Sequence, residues 1–373
     1  MGRIVILSSI FIFSIFAQTE EGKISKAEEY YRFGYDYLSH KNYPDAIKNF
    51  LKSINEDSSY YNSYIGLGSA YQALGKYDSA EIYLKRAIQL QPGNVIAYKG
   101  LAGLYLGTNR YPMAIELYEK GLELDTTNAD LYLGLGTVYK DIGELSKADS
   151  VFKRGISLNP KDLALRRARA ELLLKLEKYE EAVENLVPIV ERYPDFLSAR
   201  EELGDAYFGM KEYDKAISEY TTFLSKKPDA PGVILKLGKV YLKKRRYAEA
   251  ESLYKKAEEL LPEDPIPSLH LSELYLTKGK YGTAERYLKK ALEIDPENPS
   301  AHILLGDLYK TLGEQNRKAR KWKVSKAYYE KASAEYRKVV KDEVYGDYAR
   351  KGLKWCNQVI KELDKKIWFE GGE

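Results

Sequence analysis

Small residues recur every 34 positions along this chain, as Gly34, Gly68, Ala102, Gly136, Ala170, Gly204, Gly238, Ser272 and Gly306. Two further series keep the same step. One is Ala46, Ala80, Ala114, Ala148, Ala182, Ala216, Ala250 and Ala284; the other is Tyr37, Tyr71, Tyr105, Tyr139, Leu173, Tyr207, Tyr241, Tyr275 and Tyr309. Three registers in phase over this distance mean one supersecondary unit repeated. That overrides the expectation from length alone, which for 373 residues would be two or three independent globular domains.

Within one unit, Tyr64, Leu67, Gly68 and Tyr71 fall at i, i+3, i+4 and i+7 and so share a helix face. A second helix follows with Tyr77, Ala80, Leu84 and Ala87 on its face. Gly75 between them can take the left-handed conformation that ends a helix, and Asn109, Gly143, Gly279 and Gly313 are read as the equivalent turn. Pro92 stops the second helix, as do Pro160, Pro194, Pro228, Pro262 and Pro296 in their units. Each unit is thus a helix hairpin with small residues where the helices cross. A hairpin with one apolar face cannot bury it alone, so the units must stack.

With its aromatic, Leu-Gly, Tyr, Ala, aromatic, Ala and Pro pattern, best seen in residues 61–94, the unit resembles a tetratricopeptide repeat. The resemblance implies an all-α, right-handed superhelical solenoid whose first helices line a concave groove, with peptide or protein binding as the usual activity. It covers residues 27–313 as eight full units and the first helix of a ninth. Residues 314–344 are read as a basic insertion plus the second helix of that unit, and 345–373 as a capping helix and tail, its apolar face carrying Tyr348, Gly352, Cys356, Val359, Leu363 and Ile367. The fifth unit departs from the pattern, with Arg166 and Arg169 on its first helix and Pro188 inside its second, where a kink is expected.

Residues Ile4 to Phe16 form an apolar and serine stretch behind Arg3, followed by Ala17 and then Glu20 and Glu21. This reads as a secretory signal peptide, residues 1–17, with 18–26 as a short linker. Retention as an anchor is the competing reading, but 13 residues span only about 20 Å of a roughly 30 Å hydrocarbon core. An exported protein is expected, periplasmic if the source has two membranes.

Composition argues against chemistry. One Cys excludes an intramolecular disulfide framework, and His40, His270 and His302 are scattered, so no catalytic residue, metal site or cofactor is assigned. The excess of 34 Tyr over 10 Phe and 3 Trp is mostly framework, 22 of the 34 lying on repeating positions. Residues 314–373 carry 16 Lys and Arg against 10 Asp and Glu, concentrated at Arg317, Lys318, Arg320, Lys321, Lys323 and Lys326 around Trp322. The choice here lies between a solvated helix face and a contact with an anionic envelope surface. Nucleic acid is not expected for an exported chain.

If the first helices line a groove, the face beside their packing stripe carries Tyr31, Ile65, Lys99, Leu133, Arg167, Glu201 and Leu235, and one turn on Tyr35, Ser69, Thr137, Glu171, Asp205 and Lys239. The early units are apolar or small there and the fifth to seventh are charged. Either these residues bind a polypeptide segment or they contact the neighbouring repeat. The expected function is a non-catalytic adaptor in the bacterial cell envelope that holds an extended polypeptide. The alternatives are a self-associating architectural protein and a lipid or glycan binder acting through the basic segment.

Overall fold

The computed structural model describes residues 24–369, so the expected signal peptide and its cleavage site lie outside the described residues. Among these residues there are nineteen helices and no strand. Eighteen form nine consecutive hairpins. In the first half of the chain these are α1 (Lys26–Ser39) with α2 (Tyr43–Glu56), α3 (Tyr61–Ala73) with α4 (Tyr77–Leu90), α5 (Val95–Gly107) with α6 (Tyr111–Leu124), α7 (Ala129–Asp141) with α8 (Leu145–Leu158), and α9 (Leu163–Lys175) with α10 (Tyr179–Arg192). Four more follow: α11 (Leu197–Gly209) with α12 (Tyr213–Lys226), α13 (Pro231–Lys243) with α14 (Tyr247–Leu260), α15 (Ile266–Thr277) with α16 (Tyr281–Ile294), and α17 (Pro299–Lys318) with α18 (Trp322–Val339). The chain closes on α19 (Gly346–Phe369). It divides into two compact units, residues 1–189 and 190–373, the division falling inside α10. That helix runs on through Pro188.

In the first unit α1, α3, α5 and α7 pack against their hairpin partners and α3, α5, α7 and α9 against the second helix before them; in the second unit α11, α13, α15 and α17 pack against their partners and α13, α15, α17 and α19 against the second helix before them. Consecutive first helices also touch: α1 with α3, α3 with α5, α5 with α7 and α7 with α9 in one unit, α13 with α15 and α15 with α17 in the other. Each unit is therefore a solenoid of stacked hairpins with its first helices on the inner side.

The glycine period has a direct steric cause. In the first two hairpins a large side chain from the second helix wedges between a small residue sixteen positions earlier, in its own hairpin, and another sixteen positions later, in the next. A Cβ on Gly34 would sit 2.6 Å from the Phe50 ring, and one on Gly66 would sit 2.5 Å from it. Leu84 lies in the same way between Gly68 and Gly100, at 2.5 and 3.0 Å. Phe50 and Leu84 are fully buried, so the small residues are what lets the hairpins close around them.

This wedge corrects two expectations at the carboxyl end. Tyr336 sits between Gly306 and Gly352, where an added Cβ would come within 2.8 and 2.9 Å of its ring. Gly306 is thirty residues before it instead of sixteen, so fourteen residues are added to this hairpin, but they are not a separate insertion. The left-handed turn residues step by 34 from Lys41 to Gly279 and then by 41 to Arg320, so seven of the added residues lengthen α17 and the other seven lie between the turn and Tyr336 in α18, which at 18 residues is longer than the 14 of the preceding second helices. Seven residues make about two helical turns, which keeps both apolar faces in phase. Gly313 is accordingly not in the turn. It lies buried inside α17, where an added Cβ would come within 3.0 Å of the Tyr329 ring, and its carbonyl accepts from the Ser325 hydroxyl at 2.8 Å.

The second correction concerns α19. Gly352 follows Tyr336 by the usual sixteen residues, and Ala349 and Cys356 are buried where first helices bury theirs. The last described helix is a tenth first helix in repeat register. Burial pushes the Cys356 thiol up to about 11, as expected for a packed side chain.

The turns are less particular than the sequence suggests. Lys41, Glu177, Lys211, Arg245 and Arg320 take φ of 55–61° at the position held elsewhere by glycine or Asn109. Each carries about 1–2 kcal/mol of steric strain, which the closed hairpin on either side holds in place.

Candidate functional site

The inner face can be built residue by residue. In the first unit Tyr31, Ile65, Lys99, Leu133 and Arg167 are half-buried, and so are Glu201 and Leu235 in the second. They pack beside the repeat framework. The Tyr31 ring lies 5.9 Å from Phe50 and 5.6 Å from Tyr60, and Leu133 packs against the cluster around Tyr132 and Phe152. Ile65 lies on the cluster of Tyr64, Ala87 and Ala97, and Leu235 on the one containing Tyr254. One turn on, Tyr35 is 59% exposed, and Ser69, Glu171 and Lys239 are exposed as well. Thr137 is half-buried, its hydroxyl donating to the Leu133 carbonyl at 2.7 Å.

Most of the charges on this face are already used between repeats. Lys99 pairs with Asp130 at 2.6 Å, and Lys140 with Glu171 at 3.3 Å. In the second unit Lys236 reaches Glu201 at 2.6 Å and Asp205 at 2.7 Å, while the Tyr220 hydroxyl donates to Asp205 at 2.6 Å. Burial works against the Lys236 ammonium, yet Asp205 and Glu201 outweigh it and its pKa is raised. Burial, together with Asp205, also raises the Tyr220 phenol. Glu201 and Asp205, read from sequence as ligand-facing acids, thus form a self-neutralised knot. The sequence did carry a signal for Lys236, because it stands where the earlier repeats have Gly66, Gly100 and Gly134.

The inner stripe also continues further than two positions per helix. Seven residues after the Tyr31 series come Leu38, Leu106, Leu174, Phe208, Leu242 and Leu276, all half-buried. They prolong the apolar face along six of the first helices, whereas α3, α7 and α17 carry Gln72, Lys140 and Lys310 there.

The irregular arginines have structural roles. Tyr64 and Tyr132 donate their hydroxyls to the carbonyls of Ser58 and Thr126, six residues back, each at 3.0 Å. Arg166 makes the same contact with Pro160 through Nε and Nη2, at 3.1 and 2.9 Å, and Arg200 with Pro194 at 2.7 Å. Long polar side chains of different chemistry thus secure the same loop. Arg169 is buried and bridges Asp149 and Glu181 at 2.7 and 2.6 Å.

A third recurring contact joins successive hairpins. Tyr105, Tyr275 and Tyr309 donate their hydroxyls to Glu81, Glu251 and Glu285, each 24 residues earlier, at 2.8–2.9 Å. Burial alone would raise the Glu81 carboxyl, but Lys85, Arg110 and Tyr105 hold it down to about 2. Lys255, against a smaller effect of burial, brings Glu251 to about 2 as well, with Tyr275 and Lys278 adding to it. Not all framework tyrosines are core, since Tyr37 and Tyr77 remain exposed.

The histidines do different things. His40 is exposed, His270 stacks on Tyr254 with ring centroids 5.2 Å apart, and His302 is buried within 2.7 Å of Glu335 and 2.9 Å of the Pro296 carbonyl. The large Tyr254 ring beneath His270 draws it into the repeat interface, where it is half-buried. Among the described residues no three His, Cys, Asp or Glu side chains cluster to hold a metal.

In the basic segment, Lys318, Arg320, Lys321 and Lys323 are exposed, while Arg317 pairs with Glu314 at 3.4 Å. Trp322 departs from the sequence reading. It is buried at the start of α18, with the Lys366 ammonium 4.5 Å over its ring, and belongs to the packing between α18 and α19.

Among curated proteins, one 63-residue stretch is 35% identical to protein bimA of Emericella nidulans and another comparison of that length is 29% identical to anaphase-promoting complex subunit 3 of Schizosaccharomyces pombe. Each match takes in 17% of this chain but only 8% and 10% of those relatives, so the chain spans a tenth or less of their length. Solved structures include a tetratricopeptide repeat protein from Parabacteroides merdae, 20% identical with a TM-score of 0.48, covering 66% of this chain and 98% of that one. A thermophilic repeat protein of Thermus thermophilus is 22% identical with a TM-score of 0.42, covering 49% and 99%. Models of the tetratricopeptide repeat match residues 59–127, 109–172, 167–231, 201–265, 235–299 and 269–315. With the hairpin, wedge and turn repeating at that period, this chain belongs to the tetratricopeptide repeat family, whose fold is typically a non-catalytic scaffold for peptide or protein partners.

Proposed function

We propose that the inner face of the first unit binds an extended polypeptide segment, and that the protein acts as an adaptor in the bacterial cell envelope after export. The observation that carries this reading is the contrast along the inner face. In the second unit Glu201, Asp205 and Lys236 neutralise one another. The early repeats of the first unit instead leave Tyr35 and Ser69 exposed beside half-buried Ile65, Leu133 and Thr137, with no ion pair on any of the five. An open apolar lining of this kind suits a chain that lies along it with side chains in the gaps. Export is supported by the apolar stretch Ile4 to Phe16 followed by Ala17.

Photocrosslinkers at positions 35, 69 and 137 in cells, followed by partner identification, test the binding face. The expected result is one set of envelope proteins captured from all three positions and lost on Ile65→Asp with Leu133→Asp. Unchanged capture in that double variant, with its helix content intact, would remove the groove from the proposal. Amino-terminal sequencing of the secreted or periplasmic chain tests cleavage after Ala17.

A further inference from the structure

The carboxyl-terminal helix and the lengthened hairpin meet at one end. α18 runs away from its first residue, Trp322, and α19 returns along it. Lys326 therefore pairs with Asp364 at 2.6 Å, and Lys366 covers the Trp322 ring at 4.5 Å. This brings the turn between α17 and α18 beside the last residues of α19, Trp368 and Phe369, which are 78% and 75% exposed and stack edge-on with centroids 4.7 Å apart. Val324, also exposed, stands at the same end.

At that turn and at the start of α18 stand Lys318, Arg320, Lys321 and Lys323, and near the end of α19 stands Lys365, all exposed and none in an ion pair with another described residue. Glu370 and Glu373 follow in the sequence. Two large aromatic side chains held in water cost free energy, and nothing in the packing of α18 on α19 requires them. Exposed cations at the same end as exposed aromatic groups match one environment closely: the headgroup layer of an anionic bilayer, where indole and phenyl rings settle at the interface and Lys and Arg face the phosphates. We propose that this tip docks peripherally on an anionic lipid bilayer through Trp368 and Phe369, with Arg320, Lys321, Lys323 and Lys365 supplying the attraction. The contact is peripheral because no helix among the described residues is long and apolar enough to cross a membrane. It is independent of the polypeptide-binding face proposed above.

Sedimentation of the full chain with phosphatidylcholine vesicles, with and without phosphatidylglycerol, tests this. Binding is expected only to the anionic vesicles and should weaken as salt rises. Arg320→Gln, Lys321→Gln and Lys323→Gln together should lower partitioning on the order of 100-fold. Trp368→Ser with Phe369→Ser should lower it by about 10-fold or more. Both sets of positions are exposed, so the variants should melt as the parent does, and any binding by the apolar segment 4–16 is common to all of them. Of Trp322, Trp355 and Trp368, only Trp368 should shift its emission to the blue on vesicles, so Trp368→Phe should bind without the shift. Equal binding to neutral vesicles, or full binding by the aromatic double variant, overturns the proposal. So does light scattering that shows the tip joining two copies while vesicles stay unbound.

Discussion

Glu81→Gln isolates one of the contacts that join successive repeats. The Glu81 carboxylate on α4 accepts from the Tyr105 hydroxyl on α5 at 2.9 Å, and pairs with Arg110 at 2.6 Å and Lys85 at 2.7 Å. Its fall from the ordinary 4.5 to about 2 corresponds to about 3 kcal/mol favouring the charged form. Lys85 is 54% exposed and Arg110 35%, so screening by water reduces the usable part to about 1–2 kcal/mol. The sign follows from the depression. This stabilisation is fully present above pH 4.5 and is lost as pH falls from there through about 2. The glutamine variant should therefore lose about 1–2 kcal/mol at neutral pH, and its deficit should shrink as pH drops through that window. Repeat arrays do not unfold as one block, so amide exchange within α4 and α5 is the better measure than a global melt. A carboxyl carbon titration reports Glu81 directly. A deficit that stays constant across the window, or a Glu81 midpoint at the ordinary value, refutes the reasoning. Glu251→Gln repeats the experiment in the second unit.

Three further outcomes follow from the repeat geometry. Gly136→Ala places a Cβ 2.3 Å from the fully buried Phe152 ring, so urea unfolding should show a loss of about 1–3 kcal/mol, partly recovered by Phe152→Leu. Arg245→Gly relieves a φ of 58° in an exposed turn and should raise stability by roughly 0.5–1 kcal/mol, after the added freedom of the unfolded chain is counted. Arg166→Ala should lose about 1 kcal/mol with the Pro160 carbonyl contact, whereas Arg166→Tyr should be close to neutral because Tyr64 and Tyr132 make that contact in their own repeats; thermal unfolding of the pair separates the two.

The hairpins were legible because their cause is local and repeated. A face of Tyr64, Leu67, Gly68 and Tyr71 needs no knowledge of the rest of the chain to be read as helical. The candidate face was less legible. Asp205 looks like any exposed acid in sequence, and only the approach of Lys236, 31 residues on, and of the Tyr220 hydroxyl makes it a structural link. Gly313 misled for a related reason: a glycine at the expected turn position serves equally well under a ring. Two added heptads leave the helical phase unchanged, so periodicity alone does not show where they were placed.

The sequence by itself determined the unit, its 34-residue period, the all-α class and the identity of the small positions, since each follows from spacing along one helix or across one tight turn. The tertiary structure alone decided which large side chain fills each gap between small ones, that α19 continues the repeat through Gly352, which inner-face charges are neutralised, and that Trp322 is core while Trp368 is bare. Those outcomes depend on distances between residues far apart in the chain, and a periodic pattern fixes the direction of a side chain but not the partner that meets it.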